Sequence, residues 1–281
     1  MNLVRVDMET KSNLLNKSVS EILRTAIDES PESMLVVNPS ADVIEQLVDA
    51  ATGYDGDLPE MRMLADESIL KDVMEDFIIA SNAADLIDEG ALTMRTTEEP
   101  SGNELLITDE LVIALVAAGD HVGGLTSGDD EFVEAANDAY ATRWDDAEEF
   151  SLRTPPLSRV RATLEEEISP EAEDDFDSVL ASLETARGDG DGLDEVTISL
   201  LVAAKNEALL YDISKWGEDV GIASKATFSR TKTKLEDMGL IGTEKVPIDV
   251  GRPRLRLKLA HEELEGADAD QLAGVAQSIL H

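Results

Sequence analysis

Three helical patterns follow one another between residues 196 and 238, and they restrict the fold more than any other feature of the chain. Apolar spacing predicts the first helix, and the segment LLYDISKWGEDVGI predicts a short second helix that ends at Gly221. Ser224 then offers an N-cap to a third helix. The residues predicted to face the core are Val196, Leu200, Val202 and Ala203 on the first helix and Phe228, Leu235 and Met238 on the third.

Two strands are predicted directly after the third helix. The segment GLIGTEKVPIDV provides one strand, a turn follows at Gly251, and leucines then alternate with cations in RLRLKL. A period of two is typical of a strand that buries one face. A helix, a helix-turn-helix and a β-hairpin in this order predict a winged helix-turn-helix over residues 196–260, followed by a C-terminal helix in 261–281.

The charge of this segment differs in sign from that of the whole chain. The chain contains 61 acidic and 23 basic residues, a formal net charge of −38. Lys205 to Lys258 holds 11 of those basic residues and 8 acidic ones, a local balance of +3. Phosphates attract Lys and Arg, whereas a surface with the average charge of this chain would be repelled by a duplex. The inversion therefore favours binding to double-stranded promoter DNA.

The third helix and the wing contain the candidate DNA contacts. Lys232 and Lys234 lie far along the helix and are expected to contact phosphate. In the wing, Arg252 and Arg254 lie beside a Gly-Pro turn, which suits the DNA backbone or the minor groove. Residues near the start of a recognition helix face base edges. The candidates for base contacts are Ser224, Lys225, Thr227, Ser229 and Arg230.

Residues 1–186 predict an α/β domain, in which a mixed sheet is flanked by helices. A buried strand at Met34–Val37 precedes a helix with an N-cap at Ser40, and a strand around Met61–Leu64 repeats the scheme. Beyond Gly90, the strand-like runs ALTMRTTEE, NELLITDE and LVIALVAAG are expected to complete the same sheet.

Further helices close this half of the chain. One is predicted in DDEFVEAANDAYATRWDDAEEF, with Phe132, Tyr140 and Trp144 near one face. Two more follow, and Ser169 with Pro170 starts the second. The stretch RGDGDGLDE, residues 187–195, has the composition of a flexible linker and is the predicted domain boundary.

Composition indicates where such a chain works. Its acidic residues are scattered over predicted helix surfaces, which is typical of a protein kept hydrated in concentrated salt, and this predicts the cytoplasm of a halophile. Cysteine is absent, so disulfides and thiolate metal sites are excluded. No apolar run approaches the roughly 20 residues of a membrane span, and MNLVRVDMETKSN lacks the features of a signal peptide.

No motif in the sequence predicts catalysis, a cofactor or a metal ion. His121, His261 and His281 are far apart, and HEELE does not match the zinc protease pattern. The segment AAGDHVGGLTSGDD lacks the lysine and spacing of a phosphate loop and is predicted to be a turn. GDGDGLDE misses the ligand positions of a calcium loop.

The whole layout resembles archaeal sugar-responsive regulators. The strand-helix units, ELLITDELVIALVAAGD and the helix with ANDAYATRWDDAEEF resemble the phospholipase-D-like sensor half of TrmB-type regulators, although those carry their winged helix first. Order and composition are closer to the haloarchaeal TbsP-type regulators, which the chain resembles over nearly its full length. The resemblance implies a transcription factor of sugar and central carbon metabolism. It does not imply catalysis, because His121 is followed by Val122 and Gly123 rather than by the His-x-Lys pair of phospholipase D.

An anionic effector is the ligand class that we expect in the first half. Arg62, Arg95 and Arg143 stand out where cations are few, and arginine suits phosphate or carboxylate groups, such as those of a sugar phosphate. Salt bridges to neighbouring acids are the competing interpretation of these arginines. The glycine-rich turn is expected to add hydrogen bonds from His121, Thr126 and Ser127.

A homodimer is expected, because one winged helix reads only a few base pairs. Its candidate seams are the first helix and the last, DADQLAGVAQSIL, although each could equally pack on its own domain. The alternative to a DNA reader is a winged helix that docks proteins, with the acidic surface recruiting a basic partner. The clustering of Lys and Arg on the third helix and wing counts against that alternative.

Overall fold

The computed structural model describes residues 13–15, 17–30, 32–97, 102–119, 121–187, 193–247 and 253–280. The chain divides into two compact units. The first consists of residues 1–74 and 86–152, and the second of residues 75–85 and 153–281. Among the residues described, no helix is long and apolar enough to cross a membrane.

The first unit is built on a seven-stranded mixed sheet. Its strands are β1 (Ser33–Val37), β2 (Glu60–Ala65), β3 (Leu92–Thr96), β4 (Glu104–Thr108), β5 (Val112–Ala118), β6 (His121–Ser127) and β7 (Glu148–Glu149). They lie in the order β6-β5-β4-β1-β2-β3-β7, with β1, β2 and β3 parallel and the other pairs antiparallel. The predicted mixed sheet is thereby confirmed.

Helices flank this sheet. They are α1 (Val19–Asp28), α2 (Ala41–Thr52), α3 (Glu67–Val73) and α5 (Asp130–Asp146), whereas most of α4 (Phe77–Asp88) belongs to the second unit. Ser18 and Glu21 form a capping box at the start of α1, and the carboxylate of Asp66 caps α3. Ser40 precedes α2 as predicted, but its side chain makes no capping hydrogen bond. Local capping chemistry therefore sets several of these helix starts.

One face of the sheet is covered by α5. Val37, Ile107 and Val112 form a cluster there with Val133 of the helix. The predicted contact face of α5 is rotated by one residue near its start, because Val133 is buried whereas Phe132 is 52% exposed. Trp144 is buried as predicted.

The glycine-rich segment predicted to be a turn is largely strand β6. The tight turn is confined to the region of Gly119, whose φ is +64°. Gly124 sits where the chain approaches closely, since a Cβ there would lie 3.0 Å from Ile113 Cγ2 and 3.3 Å from Leu14 Cβ. The glycines of β6 allow neighbouring chain segments to pack closely and do not form a loop, so the glycine-rich composition of the segment was a misleading signal for a turn.

The second unit contains the helix-turn-helix. Its elements are α6 (Leu157–Glu167), α7 (Pro170–Ala181), α8 (Glu195–Lys205), α9 (Leu210–Val220), α10 (Lys225–Asp237), β8 (Ile241–Val246), β9 (Arg254–Leu259), α11 (Glu262–Glu265) and α12 (Ala269–Leu280). Ser169 caps α7 and Pro170 is its first residue, as predicted. Gly221 ends α9 in the left-handed region, with φ of +101°.

The interior of this unit fixes the angle at which α9 meets α10. Trp216 and Phe228 are fully buried, and the indole N–H of Trp216 donates to Thr163 Oγ1 at 3.0 Å. A Cβ on Gly217 would lie 2.3 Å from the ring of Phe228, so only glycine lets the two helices approach this closely. Met238, predicted to face the core, is instead 42% exposed at the end of α10.

The predicted linker at 187–195 lies inside the second unit. Ala186 and Leu193 are buried in the same apolar cluster as α6, α7 and α8. The buried carboxylate of Asp76 accepts hydrogen bonds from the hydroxyl of Thr185 and from the N–H of Ala186. These bonds anchor the segment before the predicted linker to the second unit. The core contacts on either side of the Gly-Asp stretch are made with residues distant in the sequence, so the composition of the stretch could not predict them.

Candidate nucleic-acid interface

The orientation of α10 is set by its cap and by its core residues. The hydroxyl of Ser224 accepts a hydrogen bond from the backbone N–H of Thr227 at 3.2 Å. The hydroxyl oxygens of Ser224 and Thr227 lie 3.0 Å apart. Phe228 and Leu235, seven residues apart, face the interior. With 3.6 residues per turn, this spacing places one long face of α10 directly away from the core. The exposed residues of α10 are Lys225, Ala226, Ser229, Arg230, Thr233, Lys234 and Asp237.

Arg230 lies near the middle of this outward face. Its Nη2 is 3.4 Å from Thr227 Oγ1. Among the described residues, no carboxylate lies within salt-bridge distance of Arg230 or Lys234. Ala226 and Thr233 share the outward face and were not predicted; their signal is that each lies opposite the pair Phe228 and Leu235 on a helical projection.

Lys225 points sideways towards α9. Its ammonium group forms an ion pair with Glu218 at 2.5 Å, and both side chains are exposed. The hydrogen bond from Lys225 lowers the pKa of Glu218, and the same bond raises the pKa of Lys225. Lys225 must therefore leave an internal carboxylate before it can contact DNA.

Lys232 has a supporting role in the packing of α10. Its side chain is only 13% exposed and lies 2.6 Å from the carboxylate of Glu236. Glu236 also accepts a hydrogen bond from Thr243 of β8 at 2.9 Å. Burial raises the pKa of Glu236, but the hydrogen bonds from Lys232 and Thr243 outweigh it and lower the pKa overall. Lys232 thus contributes to an internal link between α10 and the wing, and its expected phosphate contact stays a prediction.

The wing is the antiparallel pair β8 and β9, in which Ile241 lies opposite Leu259 and Val246 opposite Arg254. Leu257 is fully buried, in agreement with the predicted alternation. Arg252 and the turn at Gly251 lie outside the described residues.

Arg254 is held by α9. Its Nη1 donates to Asp212 Oδ1 at 3.1 Å, and its guanidinium carbon lies 4.5 Å from the ring centroid of Tyr211. Two further wing cations also face acids, since Arg256 lies 3.7 Å from Glu207 and Lys258 lies 2.8 Å from Glu244. Most positive charges of the wing are therefore compensated within the unit.

The compensated cations leave a small set of free positive charges. On the described parts of α10 and the wing, the cations with no carboxylate within 4.0 Å are Arg230, Lys234 and Lys245. All three are exposed. Lys245, on β8, was not among the predicted contacts. This set carries the uncompensated positive charge of the described parts of α10 and the wing.

The arginines predicted to bind an effector have partners within the first unit. Arg62 makes two hydrogen bonds to the carboxylate of Glu60, at 2.9 and 3.0 Å. Arg95 donates to the carbonyl of Trp144 at 2.6 Å and lies 4.8 Å from the centroid of its ring. Arg143 lies 5.2 Å from the ring centroid of Tyr140.

The predicted effector contacts are divided between two parts of the sheet. His121, Thr126 and Ser127 lie on β6, and the strands β5, β4 and β1 separate β6 from Arg62 on β2. Four strand spacings correspond to about 19 Å. The six residues therefore do not form one site. His121 instead lines a cavity of about 790 Å³, together with Leu15, Lys17, Ser18, Val19, Asp42, Gln46 and Val122.

Two family models match the chain. The model described as "Transcriptional regulator TbsP-like, N-terminal" matches residues 11–155. The model described as "Transcriptional regulator TbsP-like, C-terminal HTH domain" matches residues 156–277. A comparison with curated proteins finds no match.

Two solved structures are similar in part. One belongs to TrmBL2, described as an archaeal chromatin protein with a novel mode of DNA binding, with a TM-score of 0.36 and 17% identity over 52% of this chain and 56% of that chain. The other is NucT from Helicobacter pylori, with a TM-score of 0.32 and 13% identity over 50% of this chain and 98% of that chain. The chain thus spans about half the length of TrmBL2.

Proposed function

Because the chain belongs to the family of TbsP-like transcriptional regulators, we propose that it binds promoter DNA sequence-specifically through the outward face of α10 and the β8–β9 wing. The observation that supports this most strongly is the position of Arg230 and Lys234. Both are exposed on a helix-turn-helix and neither is compensated by a described carboxylate, in a chain with a net charge of −38. Such a surface is the part of this molecule that a duplex would approach.

The geometry assigns different tasks to the residues of α10. Arg230 suits a bidentate contact to guanine, and Ser229 and Thr233 flank it with hydroxyl groups. The methyl groups of Ala226 and Thr233 suit contact with a thymine methyl. The hydroxyls of Ser224 and Thr227 hold the helix N-terminus through their mutual hydrogen bond, so they position the reading face.

Phosphate contacts fall to cations around that face. Lys234 and Lys245 are available directly. Lys225 and Arg254 are paired with Glu218 and Asp212, so these carboxylates compete with phosphate for both cations, and Arg252 adds a contact in the wing. Such contacts fix the position of the protein on the duplex but do not specify sequence.

The wider role that we propose is metabolic control. The chain acts as a homodimer in the cytoplasm of a halophilic archaeon, and its first unit binds an anionic metabolite such as a sugar phosphate. Binding of that effector changes the affinity of the protein for the promoters of genes in sugar and central carbon metabolism. This part of the proposal is supported by the resemblance to TbsP-type regulators and by the large excess of acidic residues.

Fluorescence anisotropy with promoter fragments in molar KCl, repeated with a panel of sugar phosphates, tests the proposal. Arg230→Ala is expected to weaken binding to the preferred fragment by about 5- to 150-fold, which corresponds to ~1–3 kcal/mol. Lys71→Ala is the matched control, because Lys71 is an exposed cation of the first unit. Equal binding to all fragments, or no effect of Arg230→Ala, would instead favour a winged helix that docks proteins.

A further inference from the structure

The two helices expected to form a dimer seam bury their apolar stripes within their own units. Val19, Ile22 and Leu23 of α1 are buried in the first unit. Leu272 and Ala276 of α12 are fully buried in the apolar cluster of the second. Neither helix leaves a continuous described apolar stripe for a partner.

An exposed apolar surface lies elsewhere, at one edge of the sheet. Val116 of β5 is 44% exposed and Leu125 of β6 is 45% exposed. Val116 lies opposite Gly123, and Ala114 lies opposite Leu125, so Val116 and Leu125 are diagonal neighbours on one face of the sheet. We call this surface the β5–β6 patch; its members on that face are Ala114, Val116, Ala118, His121, Gly123 and Leu125.

The helix on this face, α5, does not bury Val116 or Leu125, and of the described residues Leu15, itself 57% exposed, packs over Gly123. The cluster under α5 is centred on Val37, Ile107 and Val112, towards the middle of the sheet. Phe132, in the first turn of α5, is also 52% exposed. A contiguous exposed apolar surface is typical of an interaction site.

The patch is unusual in its charge as well as in its apolar character. The segment from Leu111 to Ser127 contains a single charged residue, Asp120, among seventeen, whereas 30% of the whole chain is charged. A basic partner would be attracted to the acidic surfaces that make up the rest of the first unit. A second copy of this chain, with the same charge of −38, would be repelled from those surfaces.

We propose that the β5–β6 patch is the contact surface between two copies of this chain. A two-fold interface brings the same patch of both copies together, so an uncharged apolar surface is complementary to itself. The small residues Ala114 and Ala118 allow a second sheet to approach closely around Val116 and Leu125. This inference rests on the proposed function, since it names the interface of the proposed dimeric DNA reader.

Sedimentation equilibrium in molar KCl tests the interface directly. Leu125→Glu is expected to raise the dimer dissociation constant by at least about a hundredfold, because both copies would place a carboxylate in the contact. Leu125 is already half exposed, so the fold is expected to tolerate the change, and circular dichroism checks this. Met238→Glu is the control, since Met238 is an equally exposed apolar residue of the second unit.

A cysteine experiment identifies which surface is in contact. The chain contains no cysteine, so Leu125→Cys introduces a single thiol. In a two-fold contact centred on the patch, oxidation is expected to link two copies of Leu125→Cys through their introduced thiols. Ser278→Cys on the exposed side of α12 is the matched control and is expected to stay unlinked.

Some outcomes would overturn the inference. These are a monomeric native chain, an unchanged dissociation constant for Leu125→Glu, or crosslinking at Ser278→Cys in preference to Leu125→Cys. Failure of the proposed function would look different, because the dimer would form and respond to Leu125→Glu without any selective DNA binding. If both proposals hold, Leu125→Glu keeps the affinity for a single half-site and loses the added affinity for two.

Discussion

The salt dependence of DNA binding is the property in which the ion pairs of the second unit should be most visible. Each phosphate neutralised by a cation contributes about −0.9 to the slope of log K against log salt concentration. Lys234 and Lys245 are the uncompensated cations assigned to phosphate, whereas Arg230 is assigned to a base, so two such contacts give a slope of about −1.8 for one winged helix. If Lys225, Lys232 and Arg254 were equally free to contact phosphate, the slope would be about −4.5. Arg252 adds at most one contact to either value.

Glu218→Gln is the perturbation that separates these cases. The substitution removes the carboxylate that pairs with Lys225 at 2.5 Å, while it preserves the shape of the side chain. Lys225 then contributes a full phosphate contact, so the slope is expected to steepen by about 0.9. Over a fourfold rise in salt, the variant would lose about 3.5-fold more affinity than the native chain.

Anisotropy titrations of one half-site at several KCl concentrations measure both slopes. Glu67→Gln is the matched control, because it removes the carboxylate of an exposed pair with Lys71 in the first unit. A native slope near −4.5, or identical slopes for the native chain and Glu218→Gln, would refute the idea that internal carboxylates compete with phosphate.

Two further predictions concern the stability of the second unit. Gly217→Ala should lower the free energy of unfolding by about 1–3 kcal/mol in urea titrations, because the added Cβ would overlap the ring of Phe228. Gly274→Ala in α12 is the control, because its added Cβ would meet no neighbouring atom, and it should leave the free energy of unfolding unchanged or raise it slightly. Burial raises the pKa of Glu195, so its ionisation costs stability as pH rises above the ordinary glutamate value of about 4.3. Glu195→Gln should therefore stabilise the unit at neutral pH and lose this advantage in acid, and a destabilised variant at pH 7 would contradict the assignment.

The helix-turn-helix and wing were predictable because their signals are local. Ser224 and Ser169 each cap the backbone N–H of a residue three positions later, so both helix starts can be predicted from a short segment. The leucines of β9 alternate with cations over the six residues of that strand. Strand β6 was not predicted, because its glycines are required by packing against residues that are distant in the sequence. Gly124 exchanges backbone hydrogen bonds with Leu14, 110 residues earlier in the chain, which no local window contains.

The same limit applies to the candidate interface. Sequence identified the cations but not their partners: Arg254 reaches back 42 residues to Asp212, and Lys225 reaches back seven residues to Glu218. Whether a lysine is free or compensated depends on how α9, α10 and the wing pack. For the same reason, the pairing of Lys232 with Glu236 could not be predicted from the sequence.

These pairings bear on how such a chain selects its site in concentrated salt. At 1 M ionic strength the Debye length is about 3 Å, so a charge acts on DNA only at contact distance. Long-range attraction to any duplex is then small, and the acidic remainder of the chain is screened as well. Hydrogen bonds from Arg230 to base edges are direct contacts and lose little by screening. The ratio of specific to non-specific affinity should therefore rise with KCl concentration in the native chain, and Arg230→Ala should abolish that rise while Lys234→Ala preserves it.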